Sequence, residues 1–175
     1  LYDTRIRGND STACMDMLDA SALLWRLKLH GIDVGNRWQR MAEVWEPRID
    51  DAWYSFNDMH AMMAFAGAAR REPAQRLLAV MEKTAALATD NGMMTRTVGL
   101  PVAKALLAYS DGRFAEATDL LLPVKAIAAR AGGSHAQRDL IAQTLISAAE
   151  RSGRLRLARG LLNERLALKP ESGLN

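Results

Sequence analysis

The sequence has few of the residues that cross-link, break or anchor a small protein. Its single cysteine, Cys14, excludes an internal disulfide and a multi-cysteine zinc site. No apolar run approaches the roughly 18–20 residues that span a bilayer, and no basic-then-apolar leader is present. Five prolines occur, and valine, isoleucine and threonine are scarce beside alanine and leucine, which favours helix over strand. We expect an all-α protein with no membrane partner, and the lone thiol fits a cytoplasmic location.

Motifs for catalysis are also missing. There is no His-Glu-x-x-His pair, no acidic Ca²⁺ loop, no Gly-x-Ser-x-Gly turn and no dinucleotide fingerprint. The segment 132–134, Gly-Gly-Ser, has no phosphate-loop lysine and follows a predicted helix, so it is interpreted as a turn. Cys14 lies within a predicted helix and has no nearby base. We therefore interpret it as a small hydrophobic residue and not as a nucleophile. We expect no enzyme activity, no metal and no cofactor.

The length is that of one domain. The chain has 175 residues, of which 49% are hydrophobic, and this is enough for one substantial core. We therefore assign residues 1–175 to a single domain. Leu1 stands where a complete protein has methionine, so we expect a longer protein of which this chain is a part.

Positive charge is concentrated at the C-terminal end. The net charge is +3, but residues 125–175 carry nine basic and four acidic side chains. The basic residues from Arg151 to Lys169 scatter around several helix faces and have no interleaved aromatics. A nucleic-acid partner is therefore disfavoured, because such a site needs basic residues on one face.

A short segment recurs along the chain. Residues 111–117, DGRFAEA, return 41 residues later as 152–158, SGRLRLA. Each copy ends one apolar helical run and begins another, as the inner turn of a helix–turn–helix repeat does.

The helical periodicity between breakers predicts eight helices. Their turns fall near Gly31, Arg71, Gly112 and Gly153, at intervals of 40, 41 and 41 residues. We predict a right-handed α-solenoid of about four helix–turn–helix repeats with a period of about 41 residues. The predicted helices run from about Ser11 to His30, Asn36 to Pro47, Asp51 to Ala69, Pro73 to Asp90, Arg96 to Ser110, Arg113 to Ala131, Ser134 to Ser152 and Arg154 to Leu168.

The last two repeats resemble the tetratricopeptide repeat, although their period exceeds its roughly 34 residues. A small residue at the turn, an aromatic or apolar residue two positions later and an alanine at the helix crossing carry this resemblance. They are Gly112, Phe114 and Ala117, then Gly153, Leu155 and Ala158, with Pro170 after the last helix.

Four stretches resemble the tetratricopeptide repeat protein 38 family. They are LWRL at 24–27, FNDMHA at 56–61, GGSHAQRD at 132–139 and NERLALKP at 163–170. The resemblance implies the C-terminal part of a longer all-helical protein, and it supports the fold more than a function.

A polar stripe crosses the first predicted helix. Asp16, Asp19, Arg26 and His30 fall within a sector of about 80° between two apolar faces. The 41-residue period maps Asp16 onto position 57 and then, two periods further, onto position 139. Because an unpartnered buried charge is costly, the stripe predicts either a groove or a paired internal network. The predicted groove contains Asp16, Asp19, Arg26, Asn57, His60, His135, Arg138 and Asp139.

Three functions are compatible with this stripe. A concave groove binding a protein or peptide is the preferred hypothesis, because stacked repeats form an extended wall. Alternatively, the repeats pack in cis against the rest of a longer protein, or an Asp/His set built on Asp16, Asp19, His60 and His135 supports catalysis. The pattern leaves a homo-oligomer open.

Aromatic residues are concentrated in the first two predicted repeats. Seven of the ten lie within residues 25–65. We expect them to fill the core between these repeats; the alternative is that some are exposed as anchors for a partner.

Overall fold

The computed structural model describes residues 2–7 and 10–170, and this part of the chain is helical without any strand. The expectation of an all-α protein is confirmed. Residues 171–175, the end of the basic C-terminal region, lie outside the described residues. The α-helices are α1 (Cys14–Leu29), α2 (Arg37–Trp45), α3 (Ser55–Gly67), α4 (Arg71–Ala85), α5 (Asp90–Met94), α6 (Leu100–Ser110), α7 (Phe114–Leu121), α8 (His135–Arg151) and α9 (Leu155–Leu168).

Two of the predicted helices have different bounds in the structure, and each of them contains a proline. The predicted helix 113–131 stops at Leu121 and continues as a 3₁₀ segment, Lys125–Ala131, because Pro123 has no amide hydrogen for an α-helical bond. The predicted helix 96–110 begins earlier, with α5, and reaches α6 through a π-helical turn, Thr95–Gly99. Pro101 is tolerated there because it lies in the first turn of α6.

Four helices end in the same turn. The second residue after each helix has a positive φ: 71° at Gly31, 55° at Ala69, 77° at Gly112 and 78° at Gly153. In each turn the next amide donates to a carbonyl five residues back, at 2.9 Å, which is the Schellman arrangement. The second turn, predicted near Arg71, directly precedes that residue and has its positive φ at Ala69, a position without glycine.

Helices adjacent in sequence pack as antiparallel neighbours across these turns. In addition, α3 packs against both α1 and α6, and α7 against α8. One contact joins distant parts of the chain, because α1 also packs against α8. In a linear stack each unit touches only its neighbours, so this contact closes the first helix pair onto the last.

The aromatic residues mostly fill the core, as expected. Trp25, Trp38 and Phe65 are buried, and the two tryptophan rings meet edge to face at 6.3 Å. Trp45 is also buried and donates its indole N–H to Ser21 Oγ at 2.9 Å. Trp53 is the exception, with 77% of its surface exposed.

Candidate functional site

One residue of the α1 stripe, Arg26, contacts α8, beside the buried Trp25. Trp25 Nε1 donates to Thr144 Oγ1 at 3.0 Å. Arg26 Nη2 donates to the carbonyl of Ala136 at 2.6 Å. α1 and α8, which carry six of the predicted groove residues, are therefore in direct contact near Arg26.

Asp139 is part of an internal ion-pair network. Its carboxylate binds Arg165 and Lys169, each at 3.0 Å, and accepts a bond from Gln143 at 2.6 Å. Burial raises the pKa of Asp139, but the hydrogen bonds from these three side chains outweigh it and lower the pKa to about 2. This residue of the stripe therefore holds α9 onto α8.

His60 is buried on α3 and neutral. Its Nδ1 donates to the Phe56 carbonyl at 2.8 Å, which leaves Nε2 without a protein partner among the described residues. Burial lowers its pKa to about 4, and the charge of Arg26 contributes in the same direction. The adjoining cavity measures about 10 Å³, about the space of one water molecule. It is too small for a ligand.

The other predicted groove residues do not converge on one point. Arg138 donates to the carbonyls of Gly132 and Gly133, and therefore holds the turn before α8. His135 and Asp19 are exposed, and Asp16 is half-buried. The side chain of Asn57 lines a different cavity.

Ser134 and Gln137 form a reciprocal cap at the start of α8. Ser134 Oγ accepts from the Gln137 amide at 3.2 Å, and Gln137 Oε1 accepts from the Ser134 amide at 2.7 Å. This is a capping box. Ser134 is therefore the N-cap of α8, and the polar residues here have a structural role.

A second cavity, of about 60 Å³, lies at the start of α3. Asp58, in the first turn of that helix, is 7% exposed and lines this cavity. Its carboxylate makes no hydrogen bond or ion pair within residues 2–7 and 10–170. Burial raises its pKa to about 7, and the charge of Asp51 adds to the rise. The sequence analysis missed Asp58, because the 41-residue register selects Asn57 beside it.

A third feature is a groove over α8 and α9. Three depressions, of about 280, 460 and 210 Å³, share Ile146 in their walls. The first two also share Leu162 and Glu150, and the first reaches the end of α1. Leu155, at the start of α9, is 64% exposed in this groove.

Comparison with known proteins leaves the family open. No protein-family model matches the chain, and no solved structure matches it. Within the described part, no helix is long and apolar enough to cross a membrane. Nor do three His, Cys, Asp or Glu side chains come together there in a way that could hold a metal ion.

Proposed function

We propose that this chain is a protein-binding domain that holds an acidic, amphipathic segment of a partner in the α8–α9 groove. The observation that carries the proposal is the groove itself, an open surface with an apolar floor and a basic edge. We further propose that its helix pairs form a right-handed, tetratricopeptide-like solenoid of four units. The four equivalent Schellman turns support the repeat, and the contact between α1 and α8 requires a tight superhelix.

The floor of the groove suits apolar side chains. Leu29, Ile146 and Leu162 lie in it, and Leu155 extends it along α9. A helix placed in such a groove contributes apolar residues spaced three and four apart. Burial of leucine or isoleucine at such positions contributes about 1.5–3 kcal/mol each.

The edge of the groove favours negative charge. Basic side chains outnumber acidic ones among the lining residues. Arg156 and Arg159 are exposed and have no carboxylate within ion-pair distance in the described part of the chain. Opposite charges across an interface raise the association rate and select the partner. An acidic segment is therefore the complementary ligand.

This surface replaces the predicted groove as the preferred binding site. Arg26 and Arg138 are engaged with backbone carbonyls. Asp139 lies in the wall of the α8–α9 groove, where it is paired with Arg165, whereas Arg156 and Arg159 in that groove are exposed. Packing in cis against another part of a longer protein would use the same apolar floor. A segment that packs in cis would compete with an added peptide for the groove. Weaker peptide binding by the longer protein than by this chain would therefore indicate packing in cis.

Selection from a random peptide display library tests the proposal. We expect enriched peptides to combine Leu, Ile or Phe at helical spacing with Asp and Glu. Arg156→Glu with Arg159→Glu should weaken a selected peptide by about tenfold or more, because two attractive charges become repulsive. Glu150→Gln should strengthen peptide binding, since it removes a negative charge from the groove.

A matched control separates the groove from general charge attraction. Lys83→Glu with Arg130→Glu makes the same change in net charge at exposed positions outside the groove. We expect this control to bind as the unchanged chain does. The proposal would be contradicted if the two double variants weakened peptide binding equally, or if neither of them changed it.

A further inference from the structure

The cavity at the start of α3 contains a carboxylate without a partner. Asp58 is 7% exposed, and no described residue donates a hydrogen bond to its carboxylate or pairs with it. A buried charge normally binds a donor or an opposite charge, because burial removes its hydration. Asp139, the other buried aspartate, has three such partners. The Asp58 carboxylate therefore lacks the bound donor or cation that Asp139 has.

The charges around the cavity favour a cation over an anion. Asp51 lines it as a second carboxylate, and its charge acts on Asp58. Arg48 is also in the lining but makes no ion pair with either aspartate, and its Nη2 donates instead to the Thr12 carbonyl at 3.3 Å. Two carboxylates therefore line the cavity, and the one cationic side chain beside them, Arg48, pairs with neither.

Aromatic side chains complete the wall. Trp45, Trp53 and Tyr54 all line the cavity, and aromatic rings attract cations through their electron-rich faces. Trp53 is 77% exposed, although its loop is fixed. Asn91 Nδ2 donates to the Ala52 carbonyl at 2.9 Å, and Ala52 has a φ of +49°.

The size of the cavity limits the ligand. About 60 Å³ corresponds to roughly four water molecules, which accommodates one ammonium or guanidinium head and the start of its stem. A nucleotide is too large. Cys14 also lines the cavity, but within the described part of the chain no three His, Cys, Asp or Glu side chains are placed so that they could hold a metal ion.

We propose that this cavity binds the ammonium or guanidinium head of an organic cation, with Asp58 as counter-ion and Trp53 against the stem. Asp51 supplies the second negative charge. The cation is either a free amine or a lysine or arginine side chain of a protein, and both sources share this chemistry. The inference is independent of the α8–α9 groove.

Isothermal titration calorimetry with defined probes tests the proposal. The probes are N-acetyl-lysine amide, N-acetyl-arginine amide, the free amine agmatine, and N-acetyl-citrulline amide as the uncharged match for arginine. We expect at least one cation to bind about tenfold or more tightly than citrulline. Tighter binding of agmatine indicates a free amine, and tighter binding of an amino-acid amide indicates a protein side chain.

Substitutions of residues that line the cavity provide a second, independent test of cation binding. Asp58→Asn keeps the shape and should weaken cation binding by about tenfold or more. Trp53→Ala should weaken it by roughly threefold to tenfold. The controls Asp50→Asn and Leu87→Ala change an exposed acid and an exposed apolar residue outside the cavity, and should leave binding unchanged.

Three outcomes would overturn the proposal. They are equal affinity for arginine and citrulline amides, equal weakening by Asp58→Asn and Asp50→Asn, and no heat of binding from any cation up to roughly 10 mM. Failure to fold does not obscure the test, because Asp58→Asn removes a buried charge. None of these outcomes bears on peptide binding at α8 and α9.

Discussion

Asp58 and Asp139 are two aspartates in the early turns of two helices, with opposite surroundings. Both are largely buried. The pKa of Asp139 is lowered to about 2 because Arg165, Lys169 and Gln143 bind its carboxylate. The pKa of Asp58 is raised to about 7 because burial acts without such partners. Burial is therefore common to both, and the partners decide whether the carboxylate stabilises the fold or is available to a ligand.

The largest effect expected from this comparison is at Asp139. Asp139→Ala removes the carboxylate bound by Arg165, whose side chain is 5% exposed. We expect a loss of about 3 kcal/mol in the free energy of unfolding, because the substitution breaks a largely buried ion pair and removes the acceptor that joins α8 to Arg165. Urea denaturation measures it. Asp119→Asn removes a carboxylate from an exposed pair with Arg154 and should cost far less; similar losses would remove the distinction.

Asp58→Asn should raise the free energy of unfolding at high pH, whereas Asp139→Ala should lower it. The folded-state pKa is raised above the unfolded value of 3.8, so stability falls as the pH rises from about 4 to about 7. At pH 8 the variant should be more stable by about 2 kcal/mol, because the new amide, also without partners, offsets part of the gain. Near pH 4, where the folded-state carboxyl is neutral, the cost of the amide remains, so this gain should turn into a loss of about 2 kcal/mol. A loss of stability at pH 8 would contradict the assigned surroundings of Asp58.

His60 provides a third measurement, on the same helix as Asp58. Its pKa is lowered to about 4, so its contribution to stability is complete above the unfolded value of 6.5 and is lost as the pH falls towards 4. In the unchanged chain this trend and that of Asp58 offset each other. Asp58→Asn should therefore reveal a loss of roughly 1–2 kcal/mol between pH 7 and pH 5. Denaturation curves at the two pH values measure it, and a flat profile in the variant would contradict it.

Trp53→Ala should have the smallest effect on stability. The side chain is 77% exposed, and surface substitutions usually change the free energy of unfolding by about 0.5 kcal/mol or less. Trp25, fully buried and bonded to Thr144, serves as the contrast. If Trp53→Ala destabilises the chain as strongly as Trp25→Ala does, Trp53 belongs to the core and not to a binding site.

Local features of the fold could be predicted from the sequence. The helical periodicity predicts every main helix, and glycine identifies the turns at Gly31, Gly112 and Gly153 because a positive φ favours it. Ser134 is recognisable as an N-cap. The turn at Ala69 gives no such signal, since alanine rarely adopts that conformation.

The candidate sites depended on information that periodicity does not carry. The contact of α1 with α8 joins residues far apart in sequence, so no local pattern predicts that it narrows the expected groove. Asp139 fits the stripe, but its partners come from α9. Asp58 was missed because its importance lies in the lack of a partner, which only the packing of neighbouring elements reveals.

The contact between α1 and α8 also has a consequence for synthesis and folding. Trp25 and Thr144 are separated by 119 residues, so the first helix emerges from the ribosome long before its partner exists. Until α8 is made, the Trp25 indole lacks its hydrogen-bond acceptor and part of its cover. Contacts of such long range slow folding because a large loop must close first. The chain therefore completes its core late, and removal of its last helix pair would expose its beginning.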